Sequence, residues 1–215
     1  TGNAITTTGV GTFASLDISG NVDVDGTLET DVLTINGSAL NYKASADYNI
    51  GLGAGATDSI TTGDRNIGIG ADALTGNTEG SYNVAIGVNA LANPATANNN
   101  TAVGYASLTA NTTGTANTAV GAEALDANTT ASNNSAVGYQ ALSSNTTGTL
   151  NSAFGRTALL TNSTGANNTA IGAQALQANT TADNNTAVGA SALVTNTTGI
   201  ENTAVGSDSL KANTT

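Results

Sequence analysis

Residues 100–116 read NTAVGYASLTANTTGTA and residues 117–133 read NTAVGAEALDANTTASN, near-copies laid end to end. Extending the register in both directions places glycine every 17 residues, at Gly53, Gly70, Gly87, Gly104, Gly121, Gly138, Gly155, Gly172, Gly189 and Gly206. Four residues ahead of each stands an asparagine: Asn49, Asn66, Asn83, Asn100, Asn117, Asn134, Asn151, Asn168, Asn185 and Asn202. An aliphatic residue or Phe always precedes the glycine, and nine of ten copies place Leu four residues after it, from Leu74 to Leu210. The unit is N-T-A-(V/I)-G-x-x-A-L-x-x-N-T-T-(G/A)-x-x; its positions are numbered below as slots 1 to 17 from the asparagine. Residues 49–215 hold nine complete units and fourteen residues of a tenth.

Helical hairpins do not suit this unit. It carries an invariant Gly, a β-branched residue beside it and an Asn-Thr-Thr cluster, and the apolar positions form no sustained i, i+3, i+4 stripe. Short extended runs separated by Gly and Asn-Thr-Thr turns instead predict an all-β parallel solenoid, one coil per unit, with equivalent residues stacked. At ~4.8 Å per coil, ten coils make a rod of roughly 45 Å. The asparagine column is expected to be a ladder bonding coil to coil, and the glycine column a bend. Val103, Leu108, Val120, Leu125, Val137, Leu142, Ile171 and Leu176 are the expected core. With Val/Ile and Leu inward, strand alternation puts the Ala rows outward, against another subunit; a flat coil with the Ala rows completing a thin interior also fits. Two aliphatic side chains per coil make a meagre core, so association with other chains is expected to supply the rest.

Residues 1–40 follow another rule. In SLDISGNVDVDGTLETDVLTING (15–37), Leu16, Ile18, Val22, Val24 and Leu28 alternate with polar residues and glycines punctuate the run, which predicts successive short strands with Gly turns. Residues 41–48 read as a connector into the solenoid, 49–215. Asp23 and Asp25 lie two apart, but no calcium-loop spacing surrounds them.

The 215 residues contain no Cys, His, Met or Trp and seven aromatics (five Tyr, two Phe). Zinc sites, thiolate nucleophiles, disulfides and imidazole bases are thereby excluded. Fifteen acids face Lys43, Arg65, Arg156 and Lys211, a net charge of −11, which repels nucleic acid. No apolar run approaches the ~20 residues of a membrane-spanning helix. The absence of an initiating Met and of a signal-peptide pattern marks the chain, on this reading, as part of a longer or processed one. No enzyme activity and no cofactor are expected: Glu123, Asp126 and Asp183 are scattered singly, and a glycosidase needs paired carboxylates about 5–10 Å apart. The Asn-x-Thr sequons, such as those at Asn111 and Asn145, are by-products of the repeat.

NVAIG (83–87) and NTAIG (168–172) resemble the N-S-x-A-I-G motif of trimeric autotransporter adhesin heads, and NSAVGYQALSSNTTG (134–148) is still more similar to repeats of bacteriophage tail-fibre proteins, cyanophages among them. LDISGNVDVDGTLETDVLTINGSAL (16–40) looks like the strand-and-glycine shaft segments of such fibres, so 1–40 is expected to be a shaft-like segment; the likeness covers nearly the whole chain, though the 17-residue period is longer than that of the adhesin heads. It implies a left-handed β-roll, a homotrimer, and a place in a virion appendage, or alternatively on a bacterial surface, with other virion proteins and a host glycan or protein as partners. Binding residues, if present, belong to the variable slots. Tyr105, Tyr139 and Arg156 share slot 6 and form a candidate exposed row. An ice- or polysaccharide-binding solenoid is the reading of another class, from the stacked threonines.

Overall fold

The structure, a computed structural model, describes residues 33–35, 38–40 and 48–215. All belong to one compact unit, Val32–Thr215. β1 (Leu33–Ile35) and β2 (Ser38–Leu40) pair antiparallel, Leu33 opposite Leu40, and Asn36-Gly37 between them is the dipeptide most favoured in two-residue hairpin turns. The expected strands around Leu16, Ile18, Val22, Val24 and Leu28, the Asp23–Asp25 pair and residues 41–47 of the connector lie outside the described residues.

The rest is a β-solenoid without helix among the described residues. Ten three-residue strands form one parallel sheet: β3 (Ile50–Leu52), β4 (Ile67–Ile69), β5 (Val84–Ile86), β6 (Thr101–Val103), β7 (Thr118–Val120), β8 (Ser135–Val137), β9 (Ser152–Phe154), β10 (Thr169–Ile171), β11 (Thr186–Val188) and β12 (Thr203–Val205). They lie in sequence order, each residue paired with the one 17 later, as Thr101 with Thr118 and Ala102 with Ala119. A repeat of uniform length leaves no other register open, since a slip of one residue would turn every side chain over.

Hydrogen bonding between coils runs well beyond the strands. Thr101 N–H donates to Asn117 O at 2.9 Å, Gly104 N–H to Ile86 O at 2.8 Å, Leu108 N–H to Ala124 O at 2.9 Å, and Glu123 N–H to Tyr105 O at 2.9 Å. The chain turns between these contacts by placing slots 7, 9 and 17 in the left-handed region; Glu123, Leu125 and Asn133 have φ of 57°, 52° and 62°. For a residue with a Cβ this costs roughly 1–2 kcal/mol. At slot 9 the leucine offsets it by burying its whole side chain, worth about 1.5–3 kcal/mol. Slot 17 has no such compensation. Ala116 is exposed at φ 56°, and Ala116→Gly is expected to stabilise the chain by about 0.5–1 kcal/mol, read as a higher denaturant midpoint.

The interior contains the leucines and the Ala rows, not the valines. Leu108, Leu125, Leu142 and Leu176 are fully buried as expected, and so are Ala102, Ala119, Ala136 and Ala170 of slot 3 and Ala124 and Ala141 of slot 8. Val103, Val120 and Val137 point outward and are half-buried, while Ile171 is 43% exposed. This reverses the core expected of slot 4, and it removes the Ala rows from any surface. The reason is room. At Gly68, a slot-3 position, an added Cβ already comes within 2.8 Å of the Thr57 methyl and 3.1 Å of Ala73 O, so the space opposite the strand holds little beyond a methyl.

Asparagine supplies what apolar volume does not. Asn134 Nδ2 donates to Gly148 O of its own coil at 2.9 Å, while its Oδ1 accepts from Asn151 N–H at 2.9 Å; the pattern recurs from Asn49 to Asn185. A second buried column, at slot 12, was not anticipated. There Asn128, Asn145, Asn162 and Asn179 each donate Nδ2 to the slot-15 carbonyl and to Oδ1 of the asparagine one coil before. The chain's one proline, Pro94, interrupts this column and leaves Asn77 Oδ1 buried without a partner. Pro94→Asn is expected to reconnect Asn77 with Asn111. Satisfying the orphaned Asn77 Oδ1, worth about 1–3 kcal/mol, outweighs the roughly 0.4–1 kcal/mol of unfolded-state entropy that proline removes, so a gain of up to about 2 kcal/mol and a higher Tm are expected.

Candidate interaction surface

With the alanines, leucines and both asparagine columns turned inward, every candidate contact belongs to an outward slot. The first group is the strand face. Slots 2 and 4 bracket the buried alanine, so strand alternation sends both outward. Slot 4 is apolar in every coil, and Ile69, Ile86, Phe154 and Ile171 are exposed large side chains along it. Slot 2 begins as Ile50, Ile67 and Val84 and continues as Thr or Ser from Thr101 onward. The sheet therefore presents an aliphatic row over its full length, where soluble surfaces scatter apolar residues singly.

The second group lies just past the glycine bend. Tyr105, Tyr139 and Arg156 are exposed, as the spacing predicted, with the two rings 56% and 50% accessible. Neither phenol hydroxyl has a hydrogen-bond partner among the described residues. In the adjoining slot 7, Gln140 Nε2 donates to Glu123 Oε2 at 2.7 Å, tying two coils together.

A third cluster was not foreseen, although the 17-residue alignment contains it. Tyr48, Arg65 and Tyr82 share slot 17 and stack with the cation in the middle. The Arg65 Cζ lies 5.7 Å from the Tyr48 ring centroid and 5.3 Å from that of Tyr82. Arg65 Nη1 donates to Tyr82 Oη at 2.7 Å and pairs with Asp64 at 2.6 Å. Rings two coils apart leave roughly 10 Å between them, which admits one planar group.

The threonine turns make a fourth surface. At slot 13 the hydroxyls are consumed by the fold: Thr112 Oγ1 donates to Thr129 O at 3.0 Å and Thr146 Oγ1 to Ser163 O at 3.0 Å. Slot 14 differs. Thr96, Thr113, Thr130, Thr147, Thr164, Thr181 and Thr198 are exposed in seven consecutive coils.

Asp183 does not join Glu123 and Asp126. Asp183 Oδ1 accepts from Ala166 N–H at 2.7 Å, capping a neighbouring coil, and its coil is three removed from that of Glu123 and Asp126, roughly 14 Å along the axis. Partial burial pushes the Asp126 carboxyl above its ordinary range, opposed by a hydrogen bond from the Ser143 side chain, and nearby Glu123 pushes it the same way as burial. Among the described residues no three acids gather closely enough to hold a metal ion. Asn111 and Asn145 are fully buried, so the folded chain offers neither sequon for modification. No described helix is long and apolar enough to cross a membrane.

Comparison of the chain with protein-family models, with curated proteins and with solved structures yields no match. The functional reading therefore rests on the surface itself.

Proposed function

We propose that the chain is a structural segment of a fibre, a rigid spacer of the kind carried by phage virions, in which three copies associate side by side and hold attachment elements at a fixed distance from the particle. The observation that carries this reading is the outward aliphatic row of slot 4. A stripe of Val, Ile and Phe the length of the sheet is favourably removed from water only if something equally long covers it, and a parallel copy has the same length and the same repeat. Uniform coil size supports the mechanical role, because rod length then follows copy number, and three copies would multiply weak contacts at a host surface. The same rod would serve equally on a bacterial surface.

Light scattering on the purified chain tests the reading. The expected mass is three times 20.8 kDa. The double variant Val120→Lys, Val137→Lys should fall to monomer while keeping its β circular dichroism, because both side chains lie outside the core. A monodisperse monomer of the unaltered chain at micromolar concentration would refute lateral association.

One observation favours a second reading. The exposed slot-14 threonines recur once per coil, ~4.8 Å apart, a regular array of hydroxyl and methyl groups suited to ice or to a crystalline polysaccharide. Thermal hysteresis abolished by Thr130→Lys would support it.

A further inference from the structure

The filled stack at one end of the solenoid has an empty counterpart further along. We propose that Tyr105 and Tyr139 form an open clamp for the guanidinium of an arginine side chain presented by a basic partner protein. Tyr48 and Tyr82 are related by 34 residues, two coils, and the chain's own Arg65 occupies the coil between them. Tyr105 and Tyr139 are related by the same 34 residues in slot 6. The residue between them is Ala122, whose methyl leaves the interval open.

Two further features parallel the filled stack, and a third suits the occupant. The first is the acid. Asp64 stands beside Arg65 in the chain and takes its charge, and Glu123 stands beside Ala122, held by Gln140 at 2.7 Å. The second is the phenol. Tyr82 Oη accepts from Arg65 Nη1, and the Tyr139 hydroxyl has no partner among the described residues. The third is charge, since a chain of net −11 with four cationic side chains attracts a basic partner and steers its approach. Arg156 is the next slot-6 residue after Tyr139, on the side away from Ala122, so among the described residues no cation shares the inner interval's slot. Guanidinium suits the site better than ammonium. It is planar, stacks on two rings at once and keeps its edge N–H groups for the carboxylate and phenol.

The test is titration of the full chain with the capped peptide Gly-Arg-Gly and its Gly-Lys-Gly counterpart, followed through the ring resonances of Tyr105 and Tyr139. The absence of tryptophan and the small number of tyrosines leave this region uncrowded. Saturable shifts of both rings are expected with the arginine peptide, with affinity at least about fivefold above the lysine peptide. Tyr105→Ala and Tyr139→Ala, both at exposed positions, should lose that preference. Ala122→Arg should abolish it from within, filling the clamp as Arg65 fills the other. Equal response to the two peptides, retention of the preference in the tyrosine variants or in Ala122→Arg, or no saturable shift would overturn the proposal. So would saturable binding of a β-linked oligosaccharide with none of the arginine peptide, since it would make the rings a sugar platform.

Discussion

Gly104→Ala is expected to destabilise the solenoid by about 2–6 kcal/mol, and Gly206→Ala by only about 1–3 kcal/mol. Two costs act at Gly104. Its φ of 137° belongs to a region that residues with a Cβ rarely adopt, worth roughly 1–3 kcal/mol. An added Cβ also falls 2.6 Å from the carbonyl carbon and oxygen of Gly121 and 3.0 Å from Ala122 N, backbone atoms of the next coil that cannot step aside without opening the stack. That overlap adds roughly 1–3 kcal/mol. At Gly206 the φ is similar, 119°, but the nearest atom is Ser209 Cβ at 4.0 Å, so only the conformational cost remains. Chemical denaturation of the two variants separates the contributions. Equal losses would mean that inter-coil contact is not what holds alanine out of this column.

Asn134→Ala should cost about 1.5–4.5 kcal/mol, because it orphans one buried backbone N–H, at about 1–3 kcal/mol, and removes one further buried hydrogen bond, at about 0.5–1.5 kcal/mol. Asn151 N–H loses the Oδ1 that accepts it at 2.9 Å, and Gly148 O loses one of its two donors, keeping Asn145 Nδ2 at 2.9 Å. Water has no route to either, since the side chain is fully buried. Asn134→Asp should not rescue, as it replaces the donor toward Gly148 O by an acceptor and places a carboxylate out of water. Asn202→Ala is the internal control. No described coil follows it to donate to its Oδ1, and its backbone N–H still reaches Asn185 Oδ1 at 2.9 Å, so a loss under about 1 kcal/mol is expected. A large loss at Asn202 and a small one at Asn134 would reverse the assignment of the ladder as the source of coil-to-coil cohesion. The same logic applies to slot 12, where Pro94 is a natural break.

What could be read without coordinates was whatever repeats with the coil. The 17-residue spacing of Gly104 and Gly121 requires stacked equivalents, and an asparagine in every copy requires a partner in the next, so the parallel sheet, the slot-1 ladder and the inward leucines followed. Slot 12 carried the same signal, but Asn-Thr-Thr is also ordinary turn composition, and burial alone distinguishes a ladder from a turn. Among outward positions, Tyr105, Tyr139 and Arg156 were legible because a variable slot is a surface slot. The stack of Tyr48, Arg65 and Tyr82 was equally present in the alignment, yet its meaning depends on rings facing a cation, which spacing does not state.

The facing of Val103 and Ala102 could not be obtained that way. Size argued for valine inside, and strand alternation then argued for alanine outside. That inference assumes that the alternation holding in the strand can be referred to Leu108 across the bend. Between them lie Gly104 at φ 137° and Ala106 at φ 51°, and each such residue turns the following side chains to a new direction. Period-two reasoning is valid only within an extended run, and here the run is three residues long. The repeat by itself determined how many coils there are, in what register they stack and which asparagines and glycines the stacking needs. Only the closed coil, where an interior with room for little more than a methyl opposite the strand meets three left-handed residues per turn, decided that alanine goes in and the aliphatic row goes out.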